Sequence, residues 1–182
     1  MNLPNKLTVL RIILVPIFMV FLFLRHDFPV YAEIFALLTF SLAAITDGLD
    51  GYYARKNDRV TTLGKILDPL ADKLLITAAL IVFVAMRDIS AWAAMLIIAR
   101  ELAVTGLRVI AASEGIDISA NKWGKWKTGI QITAIIYIIL FPRVFFLPQV
   151  LATILIWGAV AITLYSGMIY FQQADIDFFG DQ

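Results

Sequence analysis

There is no cysteine in these 182 residues and a single histidine, His26. That excludes a disulfide framework, a thiolate metal site and a cysteine nucleophile, and leaves oxygen as the chief donor for any metal the chain holds. Charge is scarce as well: 16% of the residues are charged against 61% hydrophobic. With a mean hydropathy of +0.86, a soluble domain with a hydrated surface is excluded and an integral membrane protein is expected. A formal net charge of +1 argues against a polyanionic partner, so no nucleic acid is expected. Long linkers, low-complexity tracts and internal repeats are also missing. One compact domain over residues 1–182 is therefore expected, with 171–182 as a flexible acidic tail.

What is present is apolar sequence in six stretches: about Thr8 to Leu24, Pro29 to Thr46, Leu74 to Met86, Ile89 to Ile110, Thr128 to Phe146 and Pro148 to Phe171. They predict an all-α integral membrane fold with six transmembrane helices. The first could be mistaken for a secretory signal, but no small-residue cleavage site follows it, so it reads as a retained span. The third holds only 13 apolar residues, about 20 Å of helix, and should begin nearer Asp68 to cross a hydrocarbon core of about 30 Å. By the same reasoning the second continues past Thr46 to Ala54.

Basic residues orient the spans. Lys6 and Arg11, then Arg55, Lys56, Arg59, Lys65 and Lys73, then Arg108, Lys122, Lys125 and Lys127 fall on one side. Only Arg25, Arg87 and Arg143 fall on the other. Both termini and the segment between the second and third spans are thereby expected on the cytoplasmic face.

That segment carries the chemistry. Asp47 and Asp50 lie three apart, with Gly51 and Ala54 on the same helical face, so two carboxylates stand beside two positions with almost no side chain. Gly64, Asp68 and Asp72 recur at intervals of four and share a face if the chain is helical across them. Pro69 interrupts that reading; in the alternative, Asp68 is an N-cap and Pro69 the first helical residue. Four converging carboxylates repel one another unless cations neutralise them. Oxygen ligands suit Mg²⁺, Mn²⁺ or Ca²⁺, and a site open to substrate phosphates favours Mg²⁺ or Mn²⁺, which support in-line displacement at phosphorus. Arg55 could then hold a phosphate in its fork. Any one aspartate alone reads as a solvated loop residue or a cap. Four at these intervals read as a site.

Asp47, Asp50, Gly51, Ala54, Arg55, Gly64, Asp68 and Asp72, eight positions over 26 residues, resemble the full signature of the CDP-alcohol phosphatidyltransferases. The resemblance implies six transmembrane helices, a cytoplasmic-face active site and two metal ions. It implies transfer of a phosphatidyl group from a CDP-linked lipid to an alcohol, with release of CMP. It further implies that Asp47, Asp50 and Asp68 are metal ligands, that Asp72 is both a ligand and the general base, and that Gly51, Ala54, Arg55 and Gly64 embrace the CDP moiety. A homodimer is implied as well.

The signature does not name the acceptor. Arg100 and Glu101 lie near the middle of the fourth span, with Arg108 two turns beyond, and an arginine there needs a cavity or a partner. Arg100 and Arg108 bind either a substrate anion or a structural partner, though adjacent Arg100 and Glu101 point apart on a helix. Lys125 and Lys127 are either further anion ligands or interface anchors. These bases favour an acceptor that carries a phosphate, glycerol 3-phosphate or an inositol phosphate, over choline, ethanolamine or serine. The strings NLPNKLTVLRIILVP, ARELAVTGLRVIAASEG and NKWGKWKTGIQ resemble those members of the family whose acceptor is glycerol 3-phosphate, the lipid donor being CDP-diacylglycerol. Two other classes stay open at this point. An ion or proton transporter would place its acids near the midplane, and a structural membrane protein would tolerate loss of any aspartate.

Overall fold

The computed structural model describes the backbone of residues 3–57, 62–113, 122–140 and 149–173, and the side chains there apart from 3–5, 47–57, 62–70, 72, 113, 122, 123, 125 and 173. Among the described residues there are six helices and no strand: α1 Leu3–Leu24, α2 Pro29–Asn57, α3 Thr62–Ala85, α4 Ala91–Ser113, α5 Lys122–Leu140 and α6 Gln149–Gln173.

Windows at Lys6–Leu24, Pro29–Thr46 and Gln149–Gln172 are long and apolar enough to cross a membrane, and shorter apolar segments occupy Lys73–Ala85 and Trp126–Leu140. In α4 the apolar pattern is interrupted by Arg100, Glu101 and Arg108. Large apolar side chains face outward while several polar ones are buried. Outward positions on α1 include Ile13, Ile17, Val20 and Phe23, whereas Thr8, Arg11, Glu33, Arg100, Lys127, Gln131, Thr163 and Ser166 are buried. That arrangement is stable in lipid, where polar groups need partners inside the protein. The hydroxyls of Thr39, Thr105 and Thr133 follow the same rule by donating to the carbonyls of Phe35, Glu101 and Gly129, one turn back. The architecture is that of a multi-pass membrane protein.

Two boundaries differ from the sequence reading in a way that matters. Helix α2 passes Ala54 and ends at Asn57. Helix α3 begins at Thr62, not at Asp68, so the alternative with Asp68 as N-cap and Pro69 at the first helical position is overturned. Pro69 forfeits one backbone hydrogen bond, but Leu63, Ile66 and Leu67 continue the apolar periodicity upstream, and a membrane helix absorbs such a proline. Helix α5 likewise starts at Lys122, six residues before the expected Thr128; its expected continuation to Phe146 lies outside the described residues.

The chain forms two compact units. The first comprises Met1–Ile89 and Ile136–Pro148, with α1 packed against α2 and α3. Phe18 meets Phe40 with ring centroids 5.6 Å apart, and Phe21 stacks on Phe35 at 5.3 Å. As numbers rise along α1 they fall along α2, so the two are antiparallel. Ala32, Ala36 and Ala43 make a small-residue buried stripe on α2, which lets backbones approach where lipid supplies no hydrophobic drive.

One end of this unit is closed by capping and charge. At the end of α3, Asp88 N–H donates to the Phe83 carbonyl and Arg87 N–H to that of Val84, a Schellman motif with Arg87 at φ 63°. The cap delivers Asp88 to Arg25, just past α1, and the two form an ion pair. Arg25 Nη1 also lies 3.5 Å from the carbonyl of Ile138 on α5. The C-terminal ends of α1, α3 and α5 therefore gather at one end, as an alternating up-and-down chain requires.

The second unit comprises Ser90–Ile135 and Gln149–Gln182 and packs α4 against α6. Its buried stripes, Ile97, Arg100, Val104 and Leu107 on α4 and Ile156, Val160, Thr163, Ser166 and Tyr170 on α6, keep helical spacing while mixing apolar and polar residues.

Candidate functional site

The signature is carried by helix throughout. On α2, Asp47, Asp50, Gly51 and Ala54 fall within an arc of about 100°, with Arg55 beside it, at 100° per residue. On α3, Gly64, Asp68 and Asp72 fall within about 80°, because the helix runs unbroken past Pro69. Both stripes belong to the first unit, on consecutive helices joined by residues 58–61. Five Cα steps span at most about 18 Å, so the end of α2 and the start of α3 are neighbours. The side chains of Asp47, Asp50, Ala54, Arg55, Asp68 and Asp72, and the surroundings of Gly51 and Gly64, lie outside the described residues. Among the described side chains no group of three or more acids, histidines or cysteines gathers to hold a metal. The backbone nevertheless fits a hard cation: two carboxylate pairs, each on one stripe, flanked by residues too small to block a ligand, with no thiolate or imidazole in either stripe.

The second unit holds the basic candidates. Arg100 is only 8% exposed. Its Nη2 donates to Ser166 Oγ at 2.9 Å and Nη1 lies 3.7 Å from Glu101 Oε1. Its guanidinium carbon sits 5.6 Å from the centroid of the Tyr170 ring, a cation–π contact. Lys127 is buried too, and its ammonium is paired with Glu101. This removes the reading of Lys127 as an interface anchor. Its neighbour Trp126, two-thirds exposed, faces outward instead. Two cations, Arg100 and Lys127, thus share one carboxylate. Arg108 is exposed, two turns further along α4, and the Lys125 side chain lies outside the described residues.

Sequence reasoning weighed Glu101 only as a poorly placed structural partner for Arg100 and missed that the closer partner of Glu101 is Lys127, 26 residues away. It also missed Ser166, Tyr170 and the buried bond from Gln131 Nε2 to Thr163 Oγ1 at 3.2 Å. The available signal was polar spacing: Lys127 and Gln131 one turn apart on α5, and Thr163, Ser166 and Tyr170 at three- and four-residue steps on α6.

Comparison with known proteins agrees with the signature. The family profile of the CDP-alcohol phosphatidyltransferases matches residues 1–165. A Bacillus subtilis protein named CDP-diacylglycerol–glycerol-3-phosphate 3-phosphatidyltransferase is 44% identical over 94% of each chain. A Rickettsia bellii protein of the same name is 36% identical, again over 94% of each. A Mycobacterium tuberculosis protein named probable phosphatidylglycerophosphate synthase is 37% identical over 95% of this chain and 81% of its own. With its whole signature on two consecutive helices and a family match over nine-tenths of its length, the chain belongs to the CDP-alcohol phosphatidyltransferases.

Proposed function

We propose that this protein transfers the phosphatidyl group of CDP-diacylglycerol to sn-glycerol 3-phosphate, giving phosphatidylglycerophosphate and CMP, as the working unit of residues 1–182 in a membrane. The observation that carries the reading is the 44% identity, over nearly the full length of both chains, to a relative named for that reaction. The basic cluster of Arg100 and Lys127 supports an acceptor bearing its own phosphate.

The 1-hydroxyl of glycerol 3-phosphate attacks the phosphorus that bears diacylglycerol. The new P–O bond forms as the bond from that phosphorus to the CMP oxygen breaks, and the hydroxyl proton passes to Asp72. Asp47, Asp50 and Asp68, with Asp72, would hold Mg²⁺ or Mn²⁺, two ions in all. Such a cation, when bound, offsets the charge of the pyrophosphate and of the departing CMP. Gly51, Ala54 and Gly64 leave room for the CDP moiety and Arg55 pairs with its phosphates. Arg100, Arg108, Lys125 and Lys127 take the acceptor's phosphate.

Six membrane crossings with the aspartates and both termini on the cytoplasmic side are part of this proposal, supported by the excess of Lys and Arg there. The acyl chains then stay in the inner leaflet while the acceptor arrives from water. A homodimer in the inner membrane completes it.

The test is purified protein with CDP-diacylglycerol, Mg²⁺ or Mn²⁺, and labelled acceptors. Label from glycerol 3-phosphate should enter lipid with stoichiometric CMP. Labelled lipid from an inositol phosphate alone would replace the acceptor, and no CMP with any alcohol would sink the transferase reading.

A further inference from the structure

Arg100 is held in an unusual way for a membrane arginine. Its guanidinium bonds Ser166 through Nη2 and lies over Tyr170, both on α6. Its Nε, fully buried, has no hydrogen-bond partner among the described residues. Between Ser166 and Tyr170 comes Gly167, where a Cβ would stand 3.0 Å from Arg100 Cγ and 3.2 Å from Nε. The stem of Arg100 therefore lies close on the α6 backbone, and a Cβ at 167 would require it to shift by a few tenths of an ångström.

We propose that Ser166 and Gly167 are positioning residues for the transfer reaction, a seat on α6 that fixes Arg100 for the phosphate of the acceptor. The inference rests on the reading that Arg100 meets that phosphate. Preorganisation is the gain: an arginine already fixed loses little rotamer freedom when the substrate arrives. A groove of about 390 Å³ beside the seat, walled by Leu96, Ala103, Leu164 and Met168, gives the stem somewhere to go if Gly167 acquires a side chain. Substitution there should displace Arg100 without unfolding the bundle.

The experiment is steady-state kinetics of the purified enzyme in both substrates, as a double-mutant cycle. Gly167→Ala is expected to raise KM for glycerol 3-phosphate about tenfold, leave KM for CDP-diacylglycerol within about twofold and keep the melting temperature of the parent. In an Arg100→Ala background the same substitution should add nothing, because its target is gone. Ser166→Ala, which introduces no clash, should raise the same KM about threefold with the same non-additivity. An unchanged KM for glycerol 3-phosphate in Gly167→Ala and Ser166→Ala overturns the proposal, as does an effect of equal size with and without Arg100. If Arg100→Ala itself leaves that KM unchanged, the acceptor role of Arg100 falls, and the seat's role with it.

Discussion

Arg25 and Asp88 form an ion pair that joins the end of α1 to the cap of α3, 63 residues away in sequence. Both side chains are largely out of solvent, at 8% and 16% exposure. Removing one partner strands the other charge, so Arg25→Met should lower stability by about 3 kcal/mol. Adding Asp88→Asn to that variant should recover part of the loss. Thermal melting of the four proteins in one detergent checks this, and a double variant no better than Arg25→Met would show that the pair is not what links these ends.

The same pair carries a pH signature. Burial pushes the Asp88 carboxyl above its ordinary value, only partly countered by the charge and hydrogen bond of Arg25. A carboxyl whose folded pKa is raised binds its proton more tightly in the native state. Its contribution is therefore greatest below about pH 4, its unfolded pKa, and declines as pH rises through the folded value. The stability of the parent relative to Asp88→Asn should fall as pH rises above about 4. A flat or rising difference would contradict the burial of Asp88.

Arg87 stands in the left-handed region at φ 63°, where a side chain with a Cβ costs about 1 kcal/mol and glycine costs little. Arg87 is exposed and its cap bonds use only backbone, so Arg87→Gly keeps the Schellman motif. It should raise the melting temperature by about 2–4 °C, and a fall would mean that the arginine side chain matters more than the backbone it distorts.

These positions also mark the limit of what sequence discloses. The helices were legible from runs of apolar residues, and the reach of α2 through Asp47 and Ala54 followed from the length a bilayer needs. The start of α3 at Thr62 was not, because Asp68–Pro69 has the local look of a helix start, and only the apolar residues upstream outweigh it. The signature stripes were legible because they depend on local spacing alone. The seat of Arg100 was not: Ser166 and Gly167 read as ordinary small residues of an apolar helix, and their meaning comes from a partner 66 residues away.

The aspartate stripes predict a sharp dependence on divalent cations. Chelation should abolish CMP release, and Mg²⁺ or Mn²⁺ should restore it, with Asp50→Asn and Asp68→Asn each slowing turnover by at least about a hundredfold. A carboxylate ligand replaced by an amide loses charge while keeping size, so folding should be preserved. Normal turnover in either variant would remove that residue from the metal site.

Glu101 holds the buried ammonium of Lys127 and lies 3.7 Å from Arg100. In Glu101→Gln two buried cations lose the carboxylate they share, and stability should fall by about 3 kcal/mol. Lys127→Met in that background should therefore restore stability while leaving glycerol 3-phosphate turnover impaired, since the lost lysine is also an anion ligand in the proposed reaction. Melting curves and KM for glycerol 3-phosphate, measured on the same preparations, separate the two effects. Recovery of both together would assign Lys127 to structure alone, and recovery of neither would mean that Glu101 acts on something other than Lys127.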